Sequence, residues 1–329
     1  MWRPSCSVET LRARSILLGR LRNFFQQRAL LEVQTAVLSR NTVTDPGIQS
    51  FAVSQAQANW YLQTSPEHQM KRLLAAGAPG IYQICPAFRQ EEMGRFHNCE
   101  FTLLEWYRPG FSLPELMSEV ADLVKEVLPE TRFRSIRYGQ LLQDYFGVNP
   151  HLAKRQQLLA ALVEFEPSGR EGETVSTGGD SRTPDTGLEA CSSRELIDLL
   201  FDRACTELTG GWFITDYPSD QAALAKTTES HQGYATAQRF ELVIDGLEIA
   251  NGYLELLEAD IARTRMQQDL AIRRRQGAVE PPMDEHLLSA MQTGLPECSG
   301  VALGVDRLLM LQLGVKDISE VLPFPQDRT

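Results

Sequence analysis

The chain has 329 residues, 43% of them hydrophobic, and a formal net charge of −11 at pH 7. That charge argues against broad, nonspecific nucleic-acid binding, and the ordinary apolar content can supply the core of one large domain or of two. No apolar run approaches a membrane span or a signal-peptide core, and six cysteines without a C-x-x-C pair fit reduced thiols in the cytoplasm better than a metal cluster.

Thr10–Arg28 spaces Leu11, Leu17, Leu18, Leu21, Phe24 and Phe25 as one face of an amphipathic helix, and Leu31–Leu38 follows as a strand. Trp60–Thr64 reads as a short strand. Ser65-Pro66-Glu67 then opens a helix, with serine as N-cap and proline at the first helical position, and Gly77 closes it. Gly80–Phe88 and Glu100–Tyr107 are strands flanking a charged loop that carries Arg89, Glu91, Glu92, Arg95 and His97. Alternation along the outgoing strand puts Phe101, Leu103, Glu105 and Tyr107 on one face. Such a unit is either a hairpin with a solvated tip or a holder for an anionic ligand above a sheet. Ser112-Leu113-Pro114-Glu115 is a capping box that starts a helix reaching about Leu128.

From Glu166 to about Ser192 the chain turns rich in Gly, Ser, Thr and Pro, the composition of a mobile insertion, and a helix over Ser193–Leu208 capped by Ser193 comes next. In Gln238–Leu256 two alternating apolar runs are joined by Asp245-Gly246, a strong hairpin signal. A two-residue turn there sets Val243 opposite Glu248, so Glu241 and Glu248 share a face one step diagonal. Two acids so placed are either a tolerated solvent face or a cation-binding pair. Beyond Glu248 strict alternation would send Asn251, Tyr253 and Glu255 to the other face, unless a bulge near Asn251-Gly252 flips the parity. Glu258–Gln276 is a helix ending in Arg273, Arg274 and Arg275, first a complement to the helix dipole and second a docking patch for an acidic partner. Gly300–Arg307 is a glycine-punctuated strand entering a helix, with Cys298 and Ser299 before it as packing.

FRxEE followed by HNxEFTxLEWY resembles motif 2 of the class II aminoacyl-tRNA synthetases, in the form used by the lysyl branch. LEVQT after the first helix resembles motif 1, although Ala36 stands where that family usually has proline, and GVALGVDRLLM resembles motif 3. The resemblance implies one α+β catalytic domain over residues 1–329, an antiparallel sheet flanked by helices, dimeric through motif 1 and interrupted at about 166–192. It implies ATP and Mg²⁺. Arg89 would grip the α-phosphate and Arg307 the γ-phosphate, Glu91 would meet the adenine, and Phe101 would stack on it. His97, Asn98, Ile249 and Gly304 would complete the nucleotide site, with Glu241 and Glu248 as metal carboxylates and Glu248 also at the ATP. For the amino acid it implies Ser65 and Glu67 at the backbone amine and Glu255 on a terminal ammonium. Glu105 and Tyr107 would lie beside Glu255, with Asn251, Tyr253 and Ala302 lining the pocket. Ala302 replaces a glycine, and Ser65 an alanine, of the lysyl-tRNA synthetase pattern.

The catalytic motifs begin within the first dozen residues, so no anticodon-binding domain, and no tRNA acceptor, is expected. A stand-alone lysyl-type core resembles the elongation factor P–(R)-β-lysine ligase family, which adenylates β-lysine and transfers it to a lysine side chain of elongation factor P. A truncated lysyl-type synthetase charging tRNA and a non-catalytic lysine sensor are the other readings. Intact Arg89, Glu241, Glu248 and Arg307 speak against the sensor, since a pure binder needs no full phosphate and metal set.

Overall fold

The computed structural model describes residues 2–55, 58–90, 92–164, 187–229 and 233–329. Two compact units emerge, Met1–Pro129 with Gly252–Thr329, and Glu130–Asn251. The first begins with α1 (Val8–Gln27), capped by Ser7 and burying Leu17, Leu21, Phe24 and Phe25, the apolar face that its spacing predicts. The strand expected over Leu31–Leu38 forms only at its ends, as β1 (Leu31–Glu32) and β2 (Leu38–Ser39). The reason is a change of sheet. β2 joins β3 (Ala52–Gln55) and β4 (Ala58–Leu62) in a small antiparallel sheet, while β1 pairs elsewhere. Between them the Gln69 side-chain amide bonds both the N–H and the C=O of Ala36, taking the place of a strand neighbour. α2 (Glu67–Ala75) follows, with Pro66 at the cap position and Ser65 Oγ accepting the Glu67 N–H, one residue later than expected. β5 (Ile81–Phe88) and β6 (Glu100–Pro109) then pair antiparallel, and α3 (Leu113–Lys125) starts at the predicted Ser112–Glu115 capping box. Phe25 of α1 stacks on Tyr82 at 4.5 Å and meets Trp106 edge-on, fixing the helix to this hairpin.

The second unit contains β7 (Phe133–Arg137), α4 (Tyr138–Phe146), α5 (Arg155–Glu164), α6 (Ser193–Thr206), β8 (Gly211–Pro218), β9 (Thr227–Glu229) and β10 (Ala235–Ile244). β11 (Leu247–Leu254) then carries the chain back to the first unit. β7 runs parallel to β8, β8 antiparallel to β10, and β9 edges β10. Asp245 and Gly246 take φ of +49° and +83°, the left-handed pair that a two-residue hairpin turn needs. The cap of α6 is Ser192, not Ser193, because only Ser192 stands three residues before Glu195 and can close a capping box with it. Of the expected insertion, residues 166–186 lie outside the described residues. Its last part is ordered: Leu188–Ala190 makes a single tight turn, and the Arg155 guanidinium donates to the carbonyls of Cys191 and Glu189.

Back in the first unit come α7 (Ala259–Gln276), α8 (Glu285–Gly294), β12 (Cys298–Gly304) and α9 (Val305–Leu313). β12 pairs antiparallel with β6, and β1 runs parallel to β5, so β6 lies in the interior of this part of the sheet. At the basic end of α7, Arg273 is turned inward and is not offered to a partner. Arg273 is 2% exposed and donates to the carbonyls of Thr44, Asp45, Ile48 and Val279, while Arg274 pairs with Glu280. Cys298 and Ser299 are buried, as packing residues should be. No helix among the described residues is long and apolar enough to cross a membrane, and all six cysteines are free thiols.

Candidate active site

The β5–β6 ladder runs from Ile81↔Tyr107 to Phe88↔Glu100, so Arg89 opens the connecting loop and its N–H closes onto the Cys99 carbonyl at 2.9 Å. Gly94 and His97 exchange both backbone hydrogen bonds at the tip. The Arg89 guanidinium lies 5.1 Å from the centre of the Phe101 ring and donates to Glu92 at 2.9 Å. Burial by itself would raise Glu92, but Arg89, with His97 and Arg307, outweighs it and holds the carboxyl below its ordinary range. Arg307 enters from the first turn of α9, donating to the Phe96 carbonyl at 3.3 Å and touching His97 Nε2 at 2.5 Å. Its neighbour Asp306 is buried, accepts the Thr102 N–H at 2.6 Å and pairs with Arg14, locking α9 to β6. Gly304 is the N-cap of that helix. Arg89, His97, Phe101 and Arg307 are thus assembled around one loop, two guanidiniums against one acid, a suitable cradle for phosphate oxygens. Asn98 has a fastening role: its amide donates to the Glu100 carbonyl at 2.6 Å and accepts the Gln326 N–H at 3.1 Å. Glu91 lies outside the described residues.

A second cluster sits on the same sheet. Cross-strand pairing sets Glu105 opposite Ala302 and Tyr107 opposite Gly300, with Gln83 on the other side of Glu105. The Tyr107 hydroxyl donates to Glu105 Oε1 at 2.7 Å, so these two share a face as alternation predicts, and Glu105 Oε2 is buried without a hydrogen-bond partner. Glu255, just past β11, is anchored by its N–H on the Cys298 carbonyl. Between Glu255 and Glu67 lies Lys71, fully buried, its Nζ 2.6 Å from Glu255 Oε2 and 2.7 Å from Glu67 Oε1. Burial, then Glu67, pushes Glu105 up to about 8 against the pull of Tyr107 and Lys71. Burial raises Glu255 as well, with Lys71 opposing, whereas Lys71 and His68 overcome burial at Glu67 and lower it. Gly300 allows this crowding. A Cβ there would lie 2.4 Å from Tyr107 Cε1 and 2.5 Å from Glu255 Oε1. Ser65 is half-buried at the start of α2, and Tyr253 half-buried on β11. Sequence reasoning missed Lys71 and Gly300. A signal for the lysine existed: it stands one helical turn after Glu67, between the core positions Met70 and Leu74, where an ammonium requires an acid.

In the second unit, Glu241 is buried on β10 and accepts from the Arg239 guanidinium and, at 3.3 Å, from the Asn251 amide. Burial first, and Glu248 second, raise Glu241 to about 7, with Arg239 working the other way. The two acids therefore feel each other as the shared face predicts. Asn251 reaches Glu241 although strict alternation would turn it away. The ladder of β10 on β8 is interrupted between Ala237 and Phe240. Ile249 is buried. Among the described residues no cluster of three or more His, Cys, Asp or Glu could hold a metal. Two carboxylates are nevertheless the donor set Mg²⁺ takes when substrate phosphates supply further oxygens, so the residues fit that ion.

Motif order, an antiparallel-dominated sheet flanked by helices, and Arg89 over the Phe101 ring with Arg307 on the same loop define a class II synthetase catalytic core. The chain belongs to the tRNA synthetases class II (D, K and N), whose family pattern matches residues 2–328. It is 41% identical over 338 residues to the elongation factor P–(R)-β-lysine ligase of Salmonella arizonae, covering 99% of this chain and 98% of that protein. Ligases of the same name from Salmonella paratyphi B and Salmonella enteritidis PT4 are each 40% identical, with the same coverage.

Proposed function

We propose that this chain activates (R)-β-lysine, or lysine, with ATP and transfers it to a lysine side chain of elongation factor P. The observation that carries the amino-acid class is the cluster of buried Glu105, Glu255 and Tyr107 with half-buried Glu67. Burying a substrate ammonium demands a paired carboxylate, and a diamino acid brings two ammoniums. The acceptor follows from the names of the relatives, which match over nearly their whole length.

In the first step the substrate carboxylate oxygen bonds to the α-phosphorus while the bond to the bridging oxygen breaks and pyrophosphate leaves. In the second, the acceptor amine attacks the carbonyl carbon, AMP departs, and the amine loses a proton. Arg89 steadies the α-phosphate and Arg307 the γ-phosphate, with Phe101 beneath the adenine and His97 holding Arg307 in place. Glu67, with Ser65 beside it, takes the backbone amine, and Glu255 with Glu105 and Tyr107 takes the terminal ammonium. Tyr253 and Ala302 wall the pocket. Mg²⁺, which Glu241 and Glu248 would hold, supplies positive charge to the phosphate oxygens. Exposed Ile16 of α1 and Leu31 of β1 support a homodimer built on that helix and strand.

The test is Mg²⁺-dependent ATP–pyrophosphate exchange with lysine and with (R)-β-lysine, followed by transfer of labelled amino acid to elongation factor P or to tRNA. Exchange with either diamino acid and label on the protein are expected. Label on tRNA alone, or no exchange, would refute the reading.

A further inference from the structure

Lys71 belongs to none of the three family motifs, yet its side chain is fully buried in the acidic pocket. Its ammonium touches one oxygen of each of two acids, Oε1 of Glu67 and Oε2 of Glu255. Glu255 Oε1 is left facing Gly300 and Tyr107, and Glu105 Oε2 is left without a partner. We propose that Lys71 is a positioning residue for amino-acid recognition, a resident cation that ties Glu67 to Glu255 and leaves the pocket one positive charge short of balance, matched to a single diamino acid. This rests on the function proposed above.

The charge count supports it. Facing Lys71 and its acids are His68 on α2, Glu105 and Tyr107 on β6, and Cys298 on β12. His68 is engaged by Asp284, the cap of α8, at 3.2 Å. Glu105, raised to about 8, is mostly protonated at neutral pH, and burial keeps Tyr107 and Cys298 neutral. Against burial, Lys71 and His68 hold Glu67 ionised. Glu255, raised by burial to about 7 against the pull of Lys71, ionises across neutrality. Beside the one positive charge of Lys71 the two acids thus supply up to one negative charge in excess. A diamino acid, with two ammoniums and a carboxylate, carries one positive charge. Without Lys71, buried acids facing one another would take up protons, and a neutral carboxyl is a poor partner for an ammonium. Lys71 itself stays charged, since its two carboxylates outweigh burial.

The experiment is calorimetric binding of lysine and (R)-β-lysine to the whole protein across pH, comparing wild type with Lys71→Met, which keeps the side-chain volume and removes the charge. At neutral pH the variant should bind about tenfold or more weaker, with the loss shrinking as pH rises because the acids ionise again. An unchanged affinity overturns the proposal, and so does a loss of equal size at every pH, the mark of a merely structural lysine. If Lys71→Met does not fold, Glu67→Gln is compared with Glu67→Gln/Lys71→Met, which buries no orphan carboxylate at that pair. The double variant should need a pH about one unit or more higher to bind, and identical profiles overturn the proposal. Wild type that binds neither amino acid overturns it too. Binding that is intact without exchange or transfer refutes only the enzymatic reading.

Discussion

A methyl group at position 300 has nowhere to go. Tyr107 and Glu255 are both buried and hydrogen-bonded or ion-paired, so neither can retreat freely from a new Cβ. Gly300→Ala should lower stability by about 1–3 kcal/mol, read as a lower urea midpoint, and weaken amino-acid binding more than ATP binding. Ala302, two residues on, points at the same face opposite Glu105. Its methyl takes space that the glycine of the lysyl-tRNA synthetase pattern would leave open. An amine or carbon at the α-position would compete for that space, whereas a β-amino acid places its amine one carbon farther. Ala302→Gly should therefore raise kcat/KM for lysine relative to β-lysine by about tenfold, the scale of one methylene-sized change. Equal ratios in wild type and variant would leave Ala302 without a part in selection.

At the level of elements, local chemistry predicted what local chemistry controls. The Ser112–Glu115 capping box and the Asp245-Gly246 turn depend on residues a few positions apart, and both formed as read. The Leu31–Leu38 strand failed because its two ends were claimed by different sheets, a decision made by distant strands. The boundary of the insertion moves for a similar reason. Arg155 and the Ser192 cap tie 188–192 to helices on either side. Deletion of residues 166–186, whose composition offers no apolar periodicity, should leave lysine-dependent pyrophosphate exchange intact. Extending the deletion through Ser192 should cost about 0.5–2 kcal/mol by removing the cap, seen as a lower melting temperature.

For the molecule as a whole, the acids that burial raises make unliganded stability depend on pH. Glu105, Glu241 and Glu255 have folded-state values above their unfolded ones, so the stability they contribute is fully present below the unfolded value. It is lost as pH rises through about 7–8. Asp284, lowered to about 2 by His68 and the α8 backbone against burial, acts in the opposite sense, and its contribution is lost only in strong acid. The unliganded protein should be most stable in mildly acidic solution and lose melting temperature toward pH about 8. Glu105→Gln should flatten that decline, because it removes the group that burial raises most clearly in the first unit. A decline equally steep in the variant would show that Glu105 is not its source.

The sequence by itself determined the order of the three motifs, the common face of Glu105 and Tyr107, and the shared face of Glu241 and Glu248. Each of these follows from period, turn chemistry or a recurrent motif, which act over short stretches of chain. Only the tertiary structure decided that Lys71 lies between Glu67 and Glu255, that Gly300 must be bare, and that Arg273 is buried under a loop of carbonyls rather than offered to a partner. Those outcomes depend on which side chains meet across elements far apart in the chain. Whether a buried charge is stable there depends on the acids and carbonyls that folding brings around it.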